Sequence, residues 1–169
     1  MGAKELKYLV LHCTATPKGR EITKEDIIHW HTSPKEKGGR GWKQVGYSDM
    51  IYLDGTLVNL VPHNEDNFVD PWEITNGASG INSVSRHIVY VGGMDAANKK
   101  PEDTRTQEQK KTMDLYIKKV IVQHPKILVM GHNEAPDAAG KACPSFLVGE
   151  WLQNIGIKES NIYARRKLK

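Results

Sequence analysis

The chain predicts an α/β domain: one β-sheet with helices packed on its faces. Three observations predict it. Short apolar runs of strand character alternate with helical segments in the order β, α, β-hairpin, β, α, β, α. Two of the helical segments open with residues that cap a helix N-terminus. The 169 residues, 38% hydrophobic and 26% charged, have the balance of a single globular domain. A chain of that size buries roughly 68–70% of its unfolded surface, enough for a core without cross-links.

Lys7 to Cys13 (KYLVLHC) is a continuous apolar run and reads as a buried strand ending near His12. Thr23 with Asp26 forms a start like a capping box, and Ile27, Ile28 and Trp30 supply an apolar face, so Thr23 to about Thr32 is a short helix. Ser33 to Trp42 is a loop rich in Gly and Lys. Tyr47 to Leu53 and Thr56 to Val61 flank Asp54-Gly55, a strong hairpin signal. Pro62 to Ser85 is full of Asn, Asp, Gly and Ser and has no period; loops of that length are often functional. His87 to Gly92 (HIVYVG) is a further strand, and Lys99 to Arg105 a polar loop. Thr106 with Gln109 caps a helix to about Gln123, with Met113, Tyr116, Ile117 and Val120 on one side. Lys126 to Met130 is a strand that delivers Gly131-His132 at its end, and Asn133 to Ala142 is a loop. Ser145 to about Asn154 is expected as the last helix, with Phe146, Leu147, Trp151 and Leu152 inward and Gly156 as its stop. The core then spans about residues 7–155 of a single domain, 1–169, with a basic tail over 156–169.

The formal net charge of +4 favours anionic partners such as nucleic acid or an anionic wall polymer. The basic residues are scattered and no nucleic-acid motif is present, so no nucleic-acid partner is expected. Arg165-Arg166-Lys167 reads as a solvated tail. No stretch approaches the ~20 apolar residues of a membrane span, and Met1 to Lys7 is polar, unlike a secretory leader. The expectation is a monomer made in the cytoplasm without a signal peptide, acting elsewhere only after release. Cys13 and Cys143 could form one disulfide; cysteines of a cytoplasmic chain are more often metal ligands or catalytic groups.

His12 ends one predicted strand, His132 follows another, and Cys143 lies eleven positions beyond His132 across a loop. Two imidazoles and a thiolate are the protein ligands of an open zinc site, whose fourth position takes a water or substrate. Each residue alone reads first as structural: a lone histidine is commonly a satisfied core or surface residue, and a lone cysteine a small buried hydrophobe. Lys141 sits two positions before the cysteine, where a cation could reach the oxygen of a polarised carbonyl, or could simply be a solvated lysine. Tyr47, at the start of a strand, reads equally as a core aromatic. His31 is expected to pack, His87 to face either the site or solvent, and His29, His63 and His124 to lie on the surface. Asn76, Asn82 and Trp72 are candidates for sugar or peptide contact.

Leu11-His12-Cys13-Thr14-Ala15-Thr16, Val45-Gly46-Tyr47, Asp54-Gly55-Thr56, Val91-Gly92-Gly93, Gly131-His132 and Lys141-Ala142-Cys143-Pro144-Ser145-Phe146 occur in the same order as in phage-type zinc N-acetylmuramoyl-L-alanine amidases. The chain resembles that group, the amidase-2 family, which is related to the peptidoglycan recognition proteins. The resemblance runs from about Tyr8 to Trp151, and the hexapeptide ending at Phe146 is its most specific part. It implies a mixed β-sheet flanked by helices, zinc bound by His12, His132 and Cys143 (one ion per chain), and catalytic assistance from Tyr47 and Lys141. The implied reaction is hydrolysis of the amide between N-acetylmuramic acid and L-alanine in peptidoglycan, as a phage or prophage endolysin. The alternative is a recognition module that binds peptidoglycan without cutting it; such relatives lack the cysteine that is present here. A regulator that binds nucleic acid or a polymerase has only the basic balance in its favour. The chain departs from the shortest family members in a longer loop between His132 and Cys143 and a longer Pro62 to Ser85 segment. Both border the expected groove and so bear on substrate preference.

Overall fold

The computed structural model describes residues 2–166. In chain order its strands are β1 (Lys4–Glu5), β2 (Tyr8–Cys13), β3 (Thr16–Pro17), β4 (Asp49–Ile51), β5 (Leu57–Asn59), β6 (Phe68–Val69), β7 (Ser85–Tyr90), β8 (Gly93–Met94) and β9 (Leu128–Gly131). Its α-helices are α1 (Lys24–Thr32), α2 (Gln107–Gln123), α3 (Val148–Asn154) and α4 (Tyr163–Arg166). Five strands form the central sheet in the order β5-β4-β7-β2-β9. β2 runs parallel to both β7 and β9, β4 runs parallel to β7, and β5 closes the edge antiparallel to β4. The sheet is therefore mixed and helix-flanked, as the resemblance implied.

The apolar runs Leu9–Leu11 of β2 and Ile88–Tyr90 of β7 follow from this position. Interior strands of a parallel array are covered on both faces, so they cannot alternate polar with apolar. Leu9, Leu11, Ile88, Tyr90 and Val129 point to one face, where Met113, Ile117 and Val120 of α2 and Leu152 of α3 meet them. Val10 and Met130 point the other way and pack with Ala78, Ile81 and Ala135, while Met50 and Val89 pack on Ile27 of α1. The second face is covered by one short helix and by loops, and this incomplete cover leaves room for a cleft.

Both helix starts read from the sequence are present. Thr23 Oγ1 accepts from Asp26 N–H and Asp26 returns the contact to Thr23 N–H; Thr106 and Gln109 do the same at α2. The Asp54-Gly55 hairpin is also present, with Gly55 at φ +85° and only three residues paired on each side. The loop from residue 62 to 84 holds β6 and two 3₁₀ turns, Pro71–Glu73 and Asn82–Val84.

The last helix differs from its expectation. It begins at Val148, three residues late, because Ser145 has a φ of +68° that no α-helix admits. Leu147, expected inward, is 66% exposed as a result. Residues 156–165 are not a free tail: Ile157, Asn161 and Ile162 are buried, and Arg165 donates to Gln153 Oε1 at 2.6 Å. Lys167 of the expected basic cluster lies outside the described residues. His124, expected on the surface, is 4% exposed and pairs with Asn67 Oδ1 at 2.9 Å. His63 is half-buried against Asp49, and His29 is exposed as expected. Among the described residues no helix is long and apolar enough to cross a membrane.

Ile117 is fully buried at the centre of the contact between α2 and the sheet. Ile117→Ala is expected to cost about 2–5 kcal/mol of unfolding free energy through the cavity it leaves. Denaturant titration checks this; the midpoint should fall while the slope stays that of the parent.

Candidate functional site

His12 is the fifth residue of β2, and alternation along the strand sends its side chain to the face opposite α2. Register brings it to its partner. Leu11 lies opposite Gly131 in the β2–β9 pairing, so His12 and His132 follow side by side, with ring centroids 4.6 Å apart. Cys143 returns to the same place across the loop: Asn133 N–H donates to Cys143 O at 2.8 Å, and Cys143 Sγ accepts from Cys13 N–H at 3.2 Å. That sulfur lies 3.7 Å from His12 Nδ1. One nitrogen from each histidine and Cys143 Sγ all lie within 4.8 Å of one another.

The segment that carries Cys143 has no regular structure and is held by side chains. Tyr90 donates its hydroxyl to Pro144 O at 2.7 Å. The Arg105 guanidinium lies 3.4 Å from the Phe146 ring centroid and 4.4 Å from that of Trp151. Asp103 fixes the same guanidinium with two bonds of 2.9 Å.

Lys141 stands at the rim. Its Nζ is 3.3 Å from Asp137 Oδ2 and 3.5 Å from His132 Nε2. Asp137 also accepts Ser79 N–H at 3.1 Å, which ties the 132–143 loop to the loop across the cleft. Tyr47 precedes β4 and reaches the site across the sheet face; its ring lies 5.1 Å from that of His12 and 5.3 Å from that of His31. His31 both packs and lines the cleft, accepting Gly46 N–H on Nδ1 at 3.0 Å and resting against Trp42. Behind His12 stands His87, fully buried, its Nδ1 2.9 Å from His12 Nε2.

His31, Tyr47, His132, Lys141 and Cys143 line a cleft of about 790 Å³, whose walls also include Trp30, Arg40, Trp42, Asn76 and Asn82, while His12 lies buried. Trp72, considered for substrate contact, is 54% exposed and not part of this wall. A second cavity of about 560 Å³ lies on the α2 side around Asp49, His63 and Arg86 and contains none of the site residues.

The electrostatics suit a cation. Burial, then the neighbouring His87, His132 and Lys141, hold the His12 imidazole well below its ordinary pKa. Burial and then Lys141 lower His132 as well. Both rings are thus neutral near pH 7, with lone pairs free to bind a metal. Cys143 is pushed above its ordinary range by its hydrogen bond to the Cys13 thiol and by burial; both cysteines are free thiols. A buried thiol of this kind loses its proton when a positive partner takes the proton's place. Two imidazoles and one thiolate are zinc ligands by type and number, so the residues present fit that ion. Burial also pushes the Tyr47 phenol far above its ordinary value, so it stays a hydroxyl and a donor.

The family model for N-acetylmuramoyl-L-alanine amidase matches residues 2–146. The chain belongs to that family. It is 31% identical over 150 residues to an endolysin of Enterobacteria phage K11, covering 89% of this chain and 87% of the relative. It is similar in fold to the solved Ph2119 endolysin of a Thermus scotoductus bacteriophage, with a TM-score of 0.64, 24% identity and coverage of 92% and 87%. Bumblebee PGRP-SA shares the fold at a TM-score of 0.62 with 16% identity, covering 89% of this chain and 81% of that one.

Of the residues given catalytic or metal roles by the resemblance, Tyr47, His132, Lys141 and Cys143 line this cleft, and His12 lies buried against them. Sequence reasoning missed Asp137, Arg40 and Trp42 and left His87 open. For His87 a signal existed: it alternates with Val89, so a histidine inside an apolar strand must find a polar partner under cover.

Tyr90→Phe leaves the buried Pro144 carbonyl without its donor. A loss of about 1–3 kcal/mol is expected, measured by chemical denaturation at fixed metal concentration.

Proposed function

We propose that this chain is a zinc-dependent N-acetylmuramoyl-L-alanine amidase that acts as a phage or prophage endolysin. Residues 1–169 form its single amidase domain. The observation that carries the reading is the convergence of His12, His132 and Cys143 donor atoms within 4.8 Å, beside the cleft that His132 and Cys143 line. Family membership and the phage relatives, which are named endolysins, support it. The substrate is the amide joining the lactyl group of N-acetylmuramic acid to L-alanine in peptidoglycan. The protein acts as a monomer and reaches the wall after release from the cytoplasm.

In this reading His12, His132 and Cys143 hold one zinc ion. Bound there, zinc supplies a Lewis acid for the carbonyl and makes water a competent nucleophile near neutral pH. The chain's own groups do the rest. Lys141, held at the rim by Asp137, meets the negative charge that develops on the carbonyl oxygen. Tyr47, kept protonated by burial, donates its hydroxyl to the tetrahedral centre. The water oxygen bonds to the carbonyl carbon, the C–N bond breaks, a proton from that water passes to the departing nitrogen, and the products are a lactyl carboxylate and a peptide that begins with L-alanine.

Digestion of purified sacculi, with and without chelator, tests the bond cut. The expected products are glycan strands with intact lactyl groups and free peptides beginning with L-alanine, both absent after chelation. New reducing sugar ends would mean glycosidase action and sink the reading. Elemental analysis should find about one zinc per chain, lost in His12→Ala, His132→Ala or Cys143→Ala together with thermal stability.

Lys141→Ala and Tyr47→Phe should keep fold and zinc but lose turnover. For Lys141→Ala the expected fall is on the order of 10²–10³ in kcat, the scale seen when one oxyanion donor is removed. KM should change little, because the charge that Lys141 meets exists only in the transition state. Steady-state kinetics on a soluble muropeptide checks this, and full activity would take the lysine out of the mechanism.

A further inference from the structure

His12 carries two ring nitrogens, and only one can face a metal. Its Nδ1 lies 3.7 Å from Cys143 Sγ, on the side of the other donor atoms. Its Nε2 points back into the protein, 2.9 Å from Nδ1 of His87. The contact is built into the sheet. β2 and β7 pair in parallel with Val10 opposite His87 and His12 opposite Val89. His12 and His87 therefore leave adjacent strands on the same face, displaced by two residues. His87 has no exposure to solvent, and Gly77 closes over its ring: a Cβ at Gly77 would stand 2.4 Å from His87 Nδ1 and 2.7 Å from Gly46 O. The backbone at Gly77 thus packs closely against the ring at its Nδ1 edge and leaves it no room to move.

We propose that His87 is a positioning residue for the metal centre: its Nδ1 accepts the Nε2–H of His12, which fixes the His12 tautomer and turns Nδ1 toward the metal. The inference rests on the reading of His12 as a ligand. Metal-bound histidines generally donate their second N–H to a carboxylate, a backbone carbonyl or water, and the partner sets both ring orientation and tautomer. Here another imidazole takes that part. The proton count closes. His12 keeps one proton, on Nε2, and leaves the Nδ1 lone pair free. His87 must then leave Nδ1 bare and carry its own proton on Nε2. That Nε2 is buried and has no hydrogen-bond partner, so the arrangement leaves one donor unsatisfied. An unmet donor normally costs about 1–3 kcal/mol, a cost with no structural return unless the His12 contact is needed.

Two substitutions separate hydrogen bonding from packing. His87→Asn keeps an acceptor where Nδ1 stood; His87→Leu keeps bulk and removes the acceptor. Zinc affinity, measured by competition with a chromophoric chelator, should fall about 10- to 100-fold in His87→Leu and stay close to the parent in His87→Asn. Equal affinity of parent and His87→Leu overturns the proposal. So does an equal loss in both variants when circular dichroism shows both folded, because packing alone would then explain it. Two-bond ¹H–¹⁵N spectra of the zinc-loaded parent give a test that needs no variant to fold. The expected pattern is a protonated Nε2 and a bare Nδ1 on His87; a proton on His87 Nδ1 overturns the proposal. A parent that binds zinc alongside unaffected variants removes only the role of His87. A parent that binds none removes the metal reading with it.

Discussion

A strand with parallel neighbours on both sides has its two faces covered by the connections those neighbours require, and β2 is in that position between β7 and β9. Any polar side chain on it must find its partners inside the protein. His12 is that side chain, and the rest of the site answers its needs. The register with β9 supplies His132, the neighbouring β7 supplies His87, and the loop after β9 folds back to bring Cys143 within reach. The same enclosure keeps the imidazoles neutral. A buried neutral imidazole is a poor match for its apolar surroundings and a good match for a cation, so the cost of burying the group and its suitability as a ligand have one origin.

The elements legible in the sequence are those whose signal is local. The two capping boxes are four-residue patterns and both formed where they were read. The apolar run of β2, the Asp54-Gly55 turn and the amphipathic face of α2 are equally local. The His12, His132 and Cys143 group that could hold a metal was legible for a different reason. His12 and His132 are polar residues at the ends of apolar runs, and the hexapeptide around Cys143 resembles a known family.

What was not legible depends on contacts between distant parts of the chain. Nothing near His124 in sequence announces Asn67, and nothing near Ile157 and Ile162 announces that the core extends to receive them. The inward reading of Leu147 failed because helical periodicity was carried one turn too far toward the N-terminus, across a residue whose backbone is not helical. Asp137 lies in the loop between His132 and Cys143, and its place at the cleft depends on Ser79, 58 positions away. The cleft walls at Arg40 and Trp42 come from a Gly- and Lys-rich loop that had no pattern to read.

Arg105 lies between these two kinds of information. Its guanidinium sits just before α2, is gripped by Asp103, and lies across the rings of Phe146 and Trp151. A loop without secondary structure and the entrance to the longest helix are thereby joined through a single cation. Stability should follow that joint. The segment around Cys143 loosens less readily while α2 remains docked, since opening it gives up a cation–π contact of about 0.5–2 kcal/mol. Local breathing near the cleft is then partly coupled to α2, and hydrogen exchange around Ser145 and Phe146 should slow when this contact is intact and quicken in Arg105→Ala. Sequence change at the four positions would likewise be felt jointly, with double substitutions departing from the sum of the singles.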